Sequence, residues 1–106
     1  MKIVCVLLDS LNRNAMEPYG STTVKTPNFT RFQQRAVTFE NHYVGSLPCM
    51  PARRDLHTGR SHFLHRSWGP LEPFDDSLPQ LLKQNGTYSH LITDHHHYFA
   101  DGGATY

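Results

Sequence analysis

The chain has 106 residues, of which 38% are hydrophobic and 11% aromatic, and a formal net charge of +1. That length suits one small domain and is short for an enzyme built on a large sheet. The charge balance gives no bulk attraction to nucleic acid or to an anionic membrane, no stretch approaches the ~18 apolar residues of a membrane span, and the two cysteines, Cys5 and Cys49, cannot make a disulfide framework.

The first predicted element is a buried strand, Ile3 to Leu8. It is continuously apolar, as expected for a parallel strand covered on both faces. Cys5 within it reads as a small buried hydrophobe. The run is short, Asp9 interrupts it and no small-residue cleavage site follows, so no signal peptide is expected and the expected compartment is the cytoplasm. In open α/β sheets ligands gather at the carboxyl ends of strands, which makes Asp9 a site candidate. A solvated turn residue or a helix cap accounts for Asp9 equally well.

Residues 11–25 are rich in Asn, Ser, Thr, Gly and Pro and read as a loop. Thr26 can cap, and Pro27 can open, a helix with Phe29, Phe32 and Ala36 on one face. "VTFENHYV", 37–44, reads as a short strand. Ser77 and Gln80 form a capping-box pattern and Gly86 follows the last turn, so "DSLPQLLKQNG" reads as a helix marked at both ends. Asp75 and Asp76 read as its loop and cap residues. "TYSHLIT" is the next strand, again ending near an acidic residue, Asp94, and the tail beyond has no period and reads as loop. This order gives an α/β class with a partly parallel sheet and no internal domain boundary. Two buried strands do not make a self-sufficient sheet. The expectation is therefore the N-terminal part of a larger α/β protein.

The segment "SLPCMPARRDLHTGR", Ser46 to Arg60, sets Cys49 between two prolines. Pro51 favours a first helical turn and pushes Met50 out of helical conformation, which places Cys49 just before a helix N-terminus. There the sulfur, or a group made from it, faces free backbone N–H donors and the positive end of the dipole. Arg53 lies about one turn on and presents a guanidinium on the same side, and Gly59 can end the helix. The pattern is a nucleophile beside an anion-binding surface. A buried thiol in a loop with solvated arginines is the other reading of the same spacing.

Cys49-Met50-Pro51-Ala52-Arg53, continued by Leu56, Thr58, Gly59 and Arg60, resembles the sulfatase signature C-x-P-x-R…TGR. "VLLDSLNRNAMEPYG", "TPNFTRFQQRAVTFENHY" and "SLPQLLKQNGTYSHLITDHHHY" resemble, in order, the family's first strand and metal-binding acidic end, the helix and strand that follow, and the helix and strand before its G-K-W-H-L-G. The resemblance covers nearly the whole chain. It implies an alkaline-phosphatase-like α/β fold, a mixed and mostly parallel sheet with flanking helices, of which residues 1–106 are an N-terminal and incomplete portion. It implies that Cys49 becomes formylglycine, whose hydrated aldehyde attacks sulfur and releases sulfate through its second hydroxyl. It further implies Asp9, Ser10 and the modified Cys49 at a divalent metal (Ca²⁺ first, with Mg²⁺ or Mn²⁺ as alternatives) and Arg53 on the ligand oxygens. The implied partners are a small-molecule sulfate or phosphonate ester, the remainder of the catalytic domain and the formylglycine-generating machinery.

Two positions depart from the family pattern. Asp9 is followed by Ser10 where most sulfatases have a second aspartate, and "TDHHHY" replaces G-K-W-H. Counting from Tyr88, His95 falls at the family's lysine and His97 at its histidine, so both are candidate substrate contacts. Both departures occur in branches that hydrolyse phosphonate monoesters and phosphodiesters. That reaction is the alternative to sulfate-ester hydrolysis, and a non-catalytic fragment is the other. In a strand, His95, His96 and His97 would alternate faces, and at most two would serve one ion; a solvated loop or a separate zinc site are the competing readings. His57, His62 and His65 are expected at the surface or behind the site.

Overall fold

The computed structural model describes residues 1–62 and 65–100. They form three α-helices, α1 (Pro27–Gln33), α2 (Cys49–Thr58) and α3 (Leu78–Gln84), with short 3-10 turns at Arg13–Ala15, Glu17–Tyr19 and His96–Tyr98. No strand occurs among the described residues. The three predicted strands are corrected accordingly: 3–8, 37–44 and 87–93 run without ladder pairing. Ladder hydrogen bonds require a neighbouring strand, and no described residue supplies one. Their apolar side chains are accordingly exposed, among them Ile3 at 78%, Val37 at 80% and Ile92 at 88%. Cys5, expected to be buried, is exposed with its segment. The loop expected over residues 101–106 lies outside the described residues.

The chain gathers into two compact units, Met1–His42 and Tyr43–Tyr106. In the first, the predicted loop winds into two 3-10 turns. Asn12 caps one by accepting from the Asn14 N–H at 2.9 Å, and Gly20 closes the other at a φ of 91°. Helix α1 starts at Pro27 as predicted, but Thr26 does not turn its hydroxyl onto the helix. Glu17 and Thr26 engage each other instead. The Glu17 N–H donates to Thr26 Oγ1 at 2.8 Å, and the Thr26 N–H donates to Glu17 Oε2 at 2.7 Å. A carboxylate thus sits near the start of α1, where the helix dipole favours it. Phe32, on the predicted apolar face of α1, is exposed.

In the second unit, α2 begins at Cys49 with Pro48 as its N-cap, two residues before the predicted start at Pro51. It ends as predicted at Gly59, whose left-handed φ of 68° suits a residue without a Cβ. One side of α2 carries Met50, which packs with Leu71 and Tyr98 into a small core that Cys49 borders. Beside it, Arg54 is 2% exposed. Its guanidinium donates to the Gly69, Arg66 and Ser67 carbonyls at 3.2, 3.3 and 3.0 Å. Next along the loop, Arg66 grips both Asp75 carboxylate oxygens at 2.8 and 2.9 Å, and Asp75 accepts the Glu72 N–H at 2.8 Å. The loop after α2 is therefore folded on buried ionic groups more than on apolar area.

Helix α3 forms where predicted, but Ser77 makes no capping bond, so the expected capping box is not closed. Its other end is a Schellman motif: the Thr87 N–H reaches the Leu82 carbonyl at 2.9 Å and the Gly86 N–H reaches that of Lys83 at 3.1 Å. The left-handed Gly86, φ 71°, makes this possible.

Replacing Arg54 tests how much of the second unit rests on it. Arg54→Met is expected to destabilise the full-length protein by about 2–4 kcal/mol, because three carbonyls lose a charged donor. Arg54→Lys recovers little, since one ammonium does not span the fork. Urea midpoints measure both.

Candidate active site

Cys49 is the first residue of α2 and is half-buried against Met50, Leu71 and Tyr98. Pro51 carries no N–H, so the donors left open at this helix start are the Cys49 and Met50 N–H groups. An oxyanion held near position 49 meets those donors and the positive dipole end of a 10-residue helix. Arg53, one turn on, is 9% exposed. A guanidinium so little hydrated is held by its surroundings rather than lying on a solvated face. Cys49 and Arg53 thus share one helix, as the sequence implied.

His95 and His97 lie in the same unit. The tail carries them on a 3-10 turn instead of the strand considered for them, and their rings meet each other at 5.3 Å between centroids. His95 stands edge-on to Tyr98 at 6.0 Å, and Tyr98 packs with Met50 in the core that Cys49 borders. His97 meets the Trp68 ring at 5.3 Å and the His96 ring at 4.1 Å. Partial desolvation, then the adjacent His96 and His95, holds the His97 imidazole below its ordinary value, which favours the neutral ring. Tyr98, 5% exposed, joins both ends of this site. No periodic signal marks it, because a one-turn 3-10 helix leaves none.

His57 also packs edge-on to Tyr98, at 5.9 Å, and is half-buried, behind the site rather than at the surface, the second of its two expected placements. Burial lowers its pKa. His57 Nδ1 and His95 Nε2 are buried without a hydrogen-bond partner among the described residues. His62 is more deeply placed still, at 3% exposure. Its ring meets Asp55 Oδ1 at 2.8 Å, and its N–H donates to the same oxygen at 3.1 Å. Burial pushes the Asp55 carboxyl up, but the nearby Ser46 hydroxyl and the hydrogen bonds from His62 outweigh it, and the group titrates below the usual carboxylate range. Asp75 behaves alike: burial opposes, while the Glu72 N–H and the Arg66 guanidinium prevail. Spacing gave neither acid its ring or guanidinium partner, because His62 and Arg66 come from seven and nine residues away in sequence.

Asp9 and Ser10 belong to the first unit. Both are exposed, Ser10 holds a left-handed φ of 61°, and its hydroxyl donates to Asp9 Oδ1 at 3.1 Å. The pair offers hard oxygen donors of the kind that Ca²⁺ or Mg²⁺ selects. Two donors do not complete a coordination shell, and among the described residues no group of three or more His, Cys, Asp or Glu side chains is placed to hold an ion.

No described helix is long and apolar enough to cross a membrane. A family model described as Sulfatase matches residues 2–106. Mouse steryl-sulfatase is 26% identical over 94% of this chain, and human arylsulfatase D is 26% identical over 89%. A multifunctional alkaline phosphatase superfamily protein, PehA of Trinickia caryophylli, is 40% identical over 49% of the chain. The chain spans 18%, 18% and 10% of these relatives, respectively. No solved structure matches it.

The displaced titrations give a pH test with a fixed sign. Asp55 and Asp75 bind fewer protons folded than unfolded. Their stabilisation is complete above about pH 4 and is lost as pH falls through the lower folded values. His57 follows the same sign in a higher window: stability is full above about pH 6.5 and declines as pH falls toward its lowered folded pKa. Thermal midpoints of the full-length protein should fall in two stages on acidification, with His57→Gln shrinking the upper stage, which His97 shares, and Asp75→Asn shrinking the lower.

Proposed function

The chain belongs to the sulfatase family, and on that premise we propose that the full protein hydrolyses sulfate esters with a formylglycine made from Cys49 and a divalent metal. The observation that carries the reading is the pairing of Cys49 with the little-exposed Arg53 on the first turns of α2. In the proposed site a formylglycine at position 49 supplies a hydrated aldehyde as nucleophile and as the exit route for sulfate, and a metal supplies positive charge to the sulfuryl oxygens. The open N–H groups of Cys49 and Met50 hold an oxyanion at the helix start. Arg53 neutralises the charge that builds on the ester oxygens and orients the ester for in-line attack. Asp9, Ser10 and the formylglycine at position 49 would supply oxygen ligands to the metal, Ca²⁺ in the first instance. His95 and His97, with their tail folded onto Tyr98, contact the ester oxygens; the neutral state favoured at His97 suits hydrogen-bond donation from a chosen nitrogen. The enzyme that converts cysteine to formylglycine is then a required partner.

Phosphonate monoester or phosphodiester hydrolysis is the second reading. Ser10 in place of a second carboxylate and "TDHHHY" in place of the family's G-K-W-H favour it, since both departures occur in branches that hydrolyse those esters. The local likeness to PehA, 40% identical over 52 residues, favours it too.

Mass spectrometry of the Cys49 peptide, from protein made alongside the modifying machinery, should show the formylglycine form. Thiol throughout would count against the reading. Steady-state kinetics on an aryl sulfate, a phosphonate monoester and a phosphodiester then rank the two reactions. The sulfate ester is expected to lead in kcat/KM, and a phosphonate lead would exchange first and second readings. Cys49→Ala is expected to cost about 10³-fold or more in kcat, and Arg53→Ala about 10²-fold.

A further inference from the structure

Asp55 has no local reason to stand where it does. It lies in the C-terminal half of α2, where the dipole disfavours a carboxylate. Its carboxyl group is 15% exposed, and its ring partner His62 is 4% exposed. A carboxylate so placed has to be held by what surrounds it. What surrounds it comes from both ends of the helix. His62, from the segment after α2, gives its ring nitrogen and its N–H to Oδ1. On the other side, a Cβ built on Gly45 would lie 2.8 Å from Oδ2, so the segment before α2 passes against the carboxylate and only glycine allows the approach. The two flanking segments are also tied directly, by Ser61 Oγ donating to the Gly45 carbonyl at 3.3 Å. Ser46, next in line, is 1% exposed. From there the chain reaches Cys49 through Leu47 and Pro48 only.

We propose that Asp55 is a positioning residue for Cys49: it binds His62 through Oδ1, His62's neighbour Ser61 holds the Gly45 carbonyl, and Gly45 passes against Oδ2, so the carboxylate sets how the backbone enters the helix at residue 49. The proposal rests on the reading of Cys49 as the reactive position, and it adds a role for a residue that touches no substrate. The carboxylate acts on the nucleophile through three intervening residues of backbone. A displacement of about 1 Å at a reacting atom costs on the order of 10²-fold in rate.

Asp55→Asn keeps the side chain's shape and removes its charge. In the full-length enzyme it is expected to lower kcat by about 10- to 100-fold, with KM changed less than about twofold. Gly45→Ala, which drives a methyl group at the carboxylate, should give the same split, and Asp55→Glu should not restore kcat. A folded Asp55→Asn enzyme with wild-type kcat, whatever its thermal midpoint, would overturn the proposal. The second readout needs no activity. In protein made without the modifying machinery, with Cys5 replaced by serine, the alkylation rate of the Cys49 thiol should change at least about fivefold in Asp55→Asn and Gly45→Ala. An unchanged rate would overturn the proposal as well. Full activity in Cys49→Ala would instead sink the reading of the reaction, and the alkylation rates would still judge Asp55.

Discussion

The second unit is organised around a buried cation. Arg54 puts a guanidinium where a larger core would put a leucine, and it binds three carbonyls of the loop that follows α2. Among the described residues only three apolar side chains, Met50, Leu71 and Tyr98, are buried there. So little apolar area does not hold a loop in one conformation against the entropy of ordering it. A rigid fork of donors does so by direction, since each carbonyl it satisfies has one place to be. Arg66 and Asp75 extend the same logic along the loop. Adjacent arginines of one helix are thereby divided: Arg54 holds the fold and Arg53 faces the proposed chemistry.

The helices were legible because each carries its own punctuation. Pro27 opens α1, Gly59 closes α2 and Gly86 closes α3, and these act within a few residues of where they stand. The strands were legible only as apolar runs. A strand exists through its neighbours, and the composition of 3–8 says nothing of whether a neighbour is at hand. The start of α2 was missed by two residues because Pro51 is tolerated throughout a first turn, where no N–H is owed to an earlier carbonyl.

Within the candidate site, Cys49 and Arg53 could be read because their relation is helical spacing. Tyr98, Asp55 and His62 could not, because their relations cross loops. Whether His57 lies at the surface or behind the site was open in the sequence for a related reason. It follows Leu56 on a short helix, and which of the two turns inward depends on Tyr98 arriving from forty residues away. His95 and His97 were placed by counting along a presumed strand, and the 3-10 turn that carries them brings the alternate histidines ring to ring instead.

The exposed segments at 3–8, 37–44 and 87–93 carry a further consequence. Each joins apolar side chains to a row of backbone donors and acceptors outside any ladder. Such a row is a template for strand addition. Strand neighbours would cover the apolar side chains and satisfy the open edge in one step, so the contacts that complete a sheet are the same ones that remove its hazard.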